Sequence, residues 1–454
     1  MKSFKDFIQN KLTLEQSENK KDWKKQFVKL EKGFIPPSNM RPIIQAFLNS
    51  NTISIMDDTS KELTMPKKNL FITGGTVRDF LKNKTPKNFN LATNATPEQT
   101  VKILNNFGFG AEEPSEFKLE EPSPEFASNN KDKTWRINKK NEKGRPLSVI
   151  ANVKGDEFEI STFLKDGFDY TDDIEEDAKQ RDISINSLYI ELSKADGENS
   201  KLYDPTGHGW YDITQGNINV LGSPEKRFEE DPLRMMRTIR FHSQYGKGEI
   251  SGKIQKAIKE LRGDISNISL EKSKEEFVKG LTHPDIDPKI YLQNYARTQI
   301  INQLFPNLNL NLDVPPNFSN KKDKTLALAW ILQDNSIEDV ENALSSKSGW
   351  SDQERKSVVF LLNLKEFDVD NLDDLLDQKR YTSLSTDQIM NWVEMFEIDG
   401  KNTRPIWAKL IKSFCKFTPD YSKLYKISGD SYLSLAKYAN KERLKNMFND
   451  FSKY

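Results

Sequence analysis

The chain contains a single cysteine, Cys415, in 454 residues. One thiol can build neither a disulfide framework nor a thiolate metal cluster. Histidine is nearly as scarce: His208, His242 and His283 lie far apart in sequence, which argues against a zinc site. No apolar run approaches the roughly 18 residues that suggest a membrane span. Neither sign of charge is in excess, because Lys+Arg and Asp+Glu both number 68, so any basic surface for a polyanion must be local. There is no internal repeat. What remains is a soluble protein of a reducing compartment, expected in the cytoplasm, and long enough for more than one core. At 35% apolar and 30% charged residues the chain is polar, yet its apolar residues are grouped and periodic, so general disorder is not indicated.

The pattern changes along the chain. The opening "MKSFKDFIQNKL" sets Phe4, Phe7, Ile8 and Leu12 at helical spacing with lysines between them, as a small amphipathic helix that docks on the body would. It lacks the Arg/Ser bias of a transit peptide and the apolar core of a signal peptide. It is also similar, over few residues, to leaders of proteins packaged into tailed-phage heads, which leaves a phage particle as a second location. A lysine-rich leader over residues 1–38 ends in "IPPS". Arg41 to Leu48 reads as a helix. From Asn69 short strands follow: "NLFIT", "NFNLAT", "PLSVIANV", "EFEISTF", "SLYIEL" and "KLYDP", with a helix at "TPEQTVKILNNFG". Residues 112–141 are rich in Pro, Glu and Lys without a period, which predicts an exposed insertion. From Ser223 the periodicity is almost wholly helical, with Ile337, Val340 and Leu344 on one face and "KTLALAWILQ" as a buried helix. The reading is an α/β head over 39–222, then a helical neck over 223–290, a body over 291–365 and a tail over 366–454.

Gly74 and Gly75 follow an apolar strand and precede "TVRDFL". Glycines there let backbone N–H groups approach a phosphate, and the helix start adds a favourable dipole. Arg78 is then in reach of a triphosphate. A Gly-Gly in this place also makes an ordinary tight turn. The next strand carries Asn88 and Asn90 two apart, hence on one face. Two aspartates there would both point at bound Mg²⁺, with a third carboxylate from a neighbouring strand; Glu159 is well placed for that part and Asp156 lies near it. An amide offers a neutral oxygen only. In "RFEEDPLRMMRTIRF", Glu230, Asp231, Arg234 and Arg237 are expected on one helix, with Asp231 and Arg234 sharing a face. Such a pair can accept from an exocyclic amine and donate to the adjacent ring nitrogen, a pattern that cytosine and adenine offer. It can equally be an internal ion pair. In "IWAKLIKSFCKF", Lys409, Lys412 and Lys416 face away from Leu410, Ile411 and Phe414. A solvated helix face explains that stripe as well as phosphate contact does.

Taken in order, "GGTVRDFL", "PKNFNLATNATPEQ", "QRDISIN", "YDPTGHGWYDI" and "LGSPEKRFEEDPLRMMRTIRF" resemble the class II CCA-adding enzyme and bacterial poly(A) polymerase family of the DNA polymerase beta superfamily. The likeness runs from about Arg41 to Phe277 and continues weakly beyond. It implies a nucleotidyltransferase head, an all-helical neck, body and tail, and template-independent addition of AMP or CMP to an RNA 3′ end, a tRNA above all, with Mg²⁺ and ATP or CTP. By the match, Gly74, Gly75 and Arg78 belong to the phosphate turn. Arg181, Asp182 and Asn186 belong to the motif for triphosphate and ribose. Asp204 and Asp212 link head to neck, and Asp231 and Arg234, with Arg237 near them, select the base. Asn88 and Asn90 fall on the two metal-ligand positions, so Mg²⁺ binding is expected to be weak or lost.

Other departures accompany that one. The usual double arginine of the second motif is Gln180-Arg181, and the basic residue expected after Ile218 is Asn219. The stretch after the neck reads Glu271-Lys272-Ser273, and the last signature survives as "ISGDSYLSL". Three readings follow: an impaired RNA nucleotidyltransferase, a catalytically inactive relative that binds RNA or protein, and an engineered inactive form.

Overall fold

The structure is a computed structural model. It describes residues 27–30, 33–56, 62–86, 88–111, 132–138, 140–141, 144–193, 200–313, 315, 318, 322–366, 375, 378–379, 381–398, 400–416, 442–443 and 446. The amphipathic stretch at Phe4 to Leu12 and "ISGDSYLSL" lie outside these residues. The chain divides into two compact units, 1–221 and 222–454.

The first unit is built on a nine-stranded mixed sheet. Its strands are β1 (Phe27–Lys29), β2 (Leu70–Thr73), β3 (Asn90–Thr93), β4 (Gly110–Ala111), β5 (Lys133–Ile137), β6 (Ser148–Val153), β7 (Asp156–Thr162), β8 (Tyr189–Glu191) and β9 (Lys201–Tyr203). Their order across the sheet is β1-β9-β8-β2-β3-β7-β6-β5-β4. The β3–β7 and β4–β5 pairs are parallel and the others antiparallel. Helices α1 (Arg41–Leu48), α2 (Gly74–Leu81), α3 (Pro97–Asn106), α4 (Ile174–Gln180) and α5 (Gly209–Gln215) complete the unit. The start of α3 is written in "TPEQ". Gln99 N–H donates to the Thr96 hydroxyl at 3.2 Å, Thr96 N–H donates to Gln99 Oε1 at 3.0 Å, and Pro97 fills the first helical position. An aromatic cluster fixes the middle of the sheet. Phe71 meets Phe163, Tyr189 and Tyr203 with ring centroids 5.7, 6.2 and 6.0 Å apart.

Two segments differ from the sequence reading. The predicted insertion is not wholly outside the fold, because Lys133 to Ile137 pair with β6 as β5 and bury Trp135. The predicted leader also supplies an edge strand: Phe27 to Lys29 pair with β9 in antiparallel register. In both cases the strand is three to five residues long in a lysine-rich context, and sheet pairing decides what composition did not.

The second unit is largely helical: α6 (Pro224–Glu230), α7 (Leu233–Tyr245), α8 (Gly252–Leu261), α9 (Leu270–Leu281), α10 (Pro288–Thr298), α11 (Ile301–Leu304), α12 (Lys324–Leu332), α13 (Ile337–Ala343), α14 (Asp352–Lys365), α15 (Thr386–Glu394) and α16 (Pro405–Lys416). As the apolar pattern implies, α12 buries Leu326, Leu328, Ile331 and Leu332, and α13 buries Val340 with Leu344 beyond its end. The helical reading is interrupted by a small hairpin of Glu397–Ile398 with Lys401–Asn402, whose Gly400 sits at φ +72°. The single helix expected through Glu230, Asp231 and Arg234 is two. Asp231 is extended (φ −152°, ψ 97°) between α6 and α7. The ring of Pro232 bars its predecessor from helical geometry, which is the physical reason for the break.

No helix among the described residues is long and apolar enough to cross a membrane.

Candidate functional site

The strand β2 delivers the chain to Gly74, whose φ of +58° is left-handed and favours glycine. Gly75 is not under that constraint: a Cβ there would meet Arg78 Nη2 at an ordinary 3.5 Å. Arg78, one turn into α2, is buried and its Nη1 donates to Asn186 Oδ1. Asn186 Nδ2 in turn donates to Asp182 Oδ1 at 2.5 Å, and the same oxygen accepts Ile183 N–H at 3.0 Å. Three residues assigned to the nucleotide from separate motifs are therefore one hydrogen-bonded chain behind the Gly-Gly turn.

Arg181 has different partners. Its guanidinium donates to Asp177 Oδ2 at 2.9 Å, four residues back on α4, and lies over the Tyr189 ring at 5.3 Å. Tyr189 O–H donates to the same carboxylate oxygen at 2.6 Å. Burial pushes the Tyr189 phenol well above its ordinary value, so it remains a donor. This Arg–Asp–Tyr cluster ties α4 to the core of the sheet.

Asn88 and Asn90 flank Phe89, which packs inward against Phe34 and Phe158 at 6.4 and 6.1 Å. Both asparagines are exposed, as alternation about Phe89 requires. Asn90 is the register partner of Glu159 on the parallel neighbour β7, so the two side chains stand side by side on the face opposite Phe89 and Phe158. Glu159 Oε1 accepts from Ser148 Oγ at 3.0 Å and Asn138 Nδ2 at 3.1 Å. Sequence reasoning missed Asn138 because it placed that residue in the insertion. The register of β5 against β6 brings it in.

Asp204 and Asp212 hold the chain after β9. Asp204 accepts from Thr206 Oγ1 at 3.0 Å and from Gly209 and Trp210 N–H at 3.2 and 2.9 Å, which starts α5. Asp212 is buried; it accepts from the Ser184 hydroxyl and from Asn219 Nδ2 at 3.0 and 3.1 Å.

In the second unit, Glu230 rather than Asp231 is the main partner of Arg234. Arg234 Nη1 donates to Glu230 Oε2 at 2.7 Å and to Arg227 O at 3.0 Å. Its Nε lies 3.9 Å from Asp231 Oδ2. Arg227 also donates to Glu230 Oε2, so that carboxylate is shared by two guanidiniums. Arg237 lies 5.7 Å over the Phe241 ring. On α16, Ile411 and Phe414 are buried and Lys409 and Lys412 exposed; the Lys416 side chain is outside the described residues.

A mixed sheet that sets a glycine turn, a buried arginine network and an Asn-x-Asn strand beside a glutamate is the scaffold of a nucleotidyltransferase head. Residues 70–219 match the poly A polymerase head domain family. Poly(A) polymerase I of Escherichia coli is 31% identical over 212 residues, which are 46% of this chain and 40% of that protein. The CCA-adding enzyme of Leuconostoc mesenteroides is 29% identical over 245 residues, 52% of this chain and 50% of that one. Matched segments thus span about half or less of these relatives. The structure of the Bacillus stearothermophilus CCA-adding enzyme in complex with CTP superimposes with a TM-score of 0.59 at 17% identity, covering 91% of this chain and 94% of that one. Over these segments the chain is similar to CCA-adding enzymes and bacterial poly(A) polymerases.

The family implies Mg²⁺, and the donors on this face can be tested for it. They are two neutral amides and two carboxylates of one strand face: Glu159, one of whose oxygens is committed to Ser148 and Asn138, and Glu157, which is paired with Arg136 at 2.7 Å. Mg²⁺ dehydrates reluctantly and favours anionic oxygen. This donor set does not fit a tightly held Mg²⁺.

Proposed function

We propose that the protein is an RNA nucleotidyltransferase of the CCA-adding and poly(A) polymerase type, which binds ATP or CTP and adds AMP or CMP slowly to an RNA 3′ end, a tRNA being the first substrate to try. The observation that carries this reading is the connected Arg78–Asn186–Asp182 chain behind the Gly74-Gly75 turn. It presents a guanidinium and backbone N–H groups where a triphosphate would lie, and it needs no metal to hold its shape. Support for the nucleotide comes from the CTP bound by the structural relative.

The roles proposed are those of the motif resemblance. Gly74, Gly75 and Arg78 hold phosphate, and Asp182 and Asn186 fix Arg78. Glu159 is an anionic group on the reaction face, with Asn88 and Asn90 as neutral neighbours. Asp231 and Arg234 read the base edge, which requires the Arg234 fork to turn from Glu230. A divalent metal in such a site would activate the attacking hydroxyl and neutralise the triphosphate. With weak metal binding that contribution is largely lost, about 4 kcal/mol or on the order of a thousandfold in rate.

Calorimetry with the four nucleoside triphosphates, followed by extension of labelled tRNA in Mg²⁺, tests the reading. We expect ATP and CTP to bind in preference to GTP and UTP, because a site built for one polar edge leaves buried groups unpaired against another. Extension should be detectable and slow. Equal affinity for all four nucleotides would overturn the base-reading role, and no binding at all would overturn the proposal.

A further inference from the structure

We propose that Thr76 is a positioning residue that locks the Asn88–Asn90 segment to the phosphate turn. The inference deepens the reading above and rests on it. Thr76 is fully buried at the second position after Gly74, in the first turn of α2. Its hydroxyl donates to Asn88 O at 3.1 Å and accepts Asn90 N–H at 2.9 Å. One oxygen thus fixes the backbone on both sides of Phe89.

The arrangement has a geometric consequence. Asn90 opens β3, and its N–H lies just before the ladder with β2 begins at Leu91. Asn88 lies outside that strand. Thr76 supplies the bond that extends strand geometry back across Phe89, so both asparagines flank an inward ring and face the reaction side. The phosphate turn and the two asparagine positions therefore move as one body. Glu159 is held on the same face by Ser148 and Asn138 and does not depend on Thr76.

A hydroxyl in this role is replaceable by serine and not by valine. Valine keeps the shape but leaves a buried N–H and a carbonyl unpaired, which lets residues 88–90 relax. The test uses the full chain and three proteins: the parent, Thr76→Val and Thr76→Ser. Affinity for ATP with Mg²⁺ is measured by calorimetry well below the melting temperature, and melting is recorded separately.

We expect Thr76→Val to weaken ATP by about five- to twentyfold, the effect of losing one or two well-made hydrogen bonds. Thr76→Ser should stay within about twofold of the parent. A lowered melting temperature in Thr76→Val with unchanged ATP affinity would show an ordinary structural hydroxyl and overturn the inference. If the parent itself binds no ATP, the functional reading fails first, and the positioning role falls with it. If Thr76→Val does not fold, Thr76→Ala and Thr76→Ser decide: equal weakening in both overturns the hydroxyl role, and weakening in alanine alone supports it.

Discussion

Replacing Asn88 and Asn90 together by aspartate should make the head respond to Mg²⁺. Asn90 and Glu159 are register partners on parallel strands, which sets their backbones about 4.8 Å apart. Two carboxylates there stand about 5 Å from each other. Coulomb's law gives a repulsion of about 0.8 kcal/mol at bulk-water screening and about 3 kcal/mol at an effective dielectric of 20. Both groups face solvent, so about 1–2 kcal/mol is the expected cost in EDTA. Asn88 is exposed and outside the strand, so its change adds less. Aspartate and asparagine have nearly the same shape, and Phe89 still anchors the segment against Phe34 and Phe158. For a unit of this size the loss is about 2–8 °C in melting temperature. With three carboxylates and a metal Kd of about 1 mM, 10 mM Mg²⁺ returns about 1.4 kcal/mol. The assay is a thermal melt of parent, double variant and double variant with Glu159→Gln, each in EDTA and in Mg²⁺. We expect a Mg²⁺ gain of several degrees in the double variant only. The same gain in the parent, or a gain that survives Glu159→Gln, would refute the geometry argued for this face.

Two further outcomes are expected. Gly74→Ala should cost roughly 1–2 kcal/mol in urea denaturation, because φ of +58° is left-handed, whereas Gly75→Ala meets only an ordinary contact and should lie within about 1 kcal/mol of the parent. In the helical unit, Glu354 accepts from Lys274 at 2.6 Å and Lys324 at 2.7 Å. Burial opposes its charge, but those hydrogen bonds and that of Ser351 outweigh it and hold the carboxyl down at about 2. A depressed folded-state value gives stability that is present above the unfolded value of about 4.5 and is lost as pH falls from there towards 2. After discounting for solvent screening this is about 1–2 kcal/mol. Glu354→Gln should therefore melt below the parent at pH 7, and that gap should shrink by pH 3; a gap independent of pH would assign the loss to packing.

What could be read from the sequence divides by range. Local signals held: the strands β2, β3, β6, β7, β8 and β9, the helix α3 and the buried α12 all follow from periodicity. The break at Asp231 was also written locally, in the proline after it, but the continuous charge pattern on both sides suggested one helix. Lys133 to Ile137 bury only Trp135, too short a signal in a lysine-rich stretch to outweigh composition. The Arg181–Asp177 pair is an ordinary four-residue helix spacing, yet the motif drew Arg181 toward phosphate. Long-range bonds were not legible. Arg78 to Asn186 spans 108 positions and Asn138 to Glu159 depends on a strand register. Family motifs named the first set of residues and could not give their partners.

These contacts explain how the fold accommodates amides at the positions where the motif resemblance led us to expect ions. A metal site of aspartates is strained by its own charge until the ion arrives. With Asn88 and Asn90 uncharged, the carboxylates of this face are engaged in the fold: Glu159 accepts from Ser148 and Asn138 and Glu157 pairs with Arg136, and the segment is shaped by Thr76 and Phe89. Asn219 repeats the substitution. Its amide reaches both oxygens of the buried Asp212, so that carboxylate is hydrogen-bonded where a basic residue was expected to stand. In both places an amide preserves hydrogen bonding and gives up charge. Folding depends mainly on the first, because an unpaired buried group is costly while a solvent-facing charge contributes little. Phosphoryl chemistry depends on the second, because preorganised charge lowers its barrier. Under the proposed function, such a chain would keep its scaffold and its nucleotide contacts and lose rate.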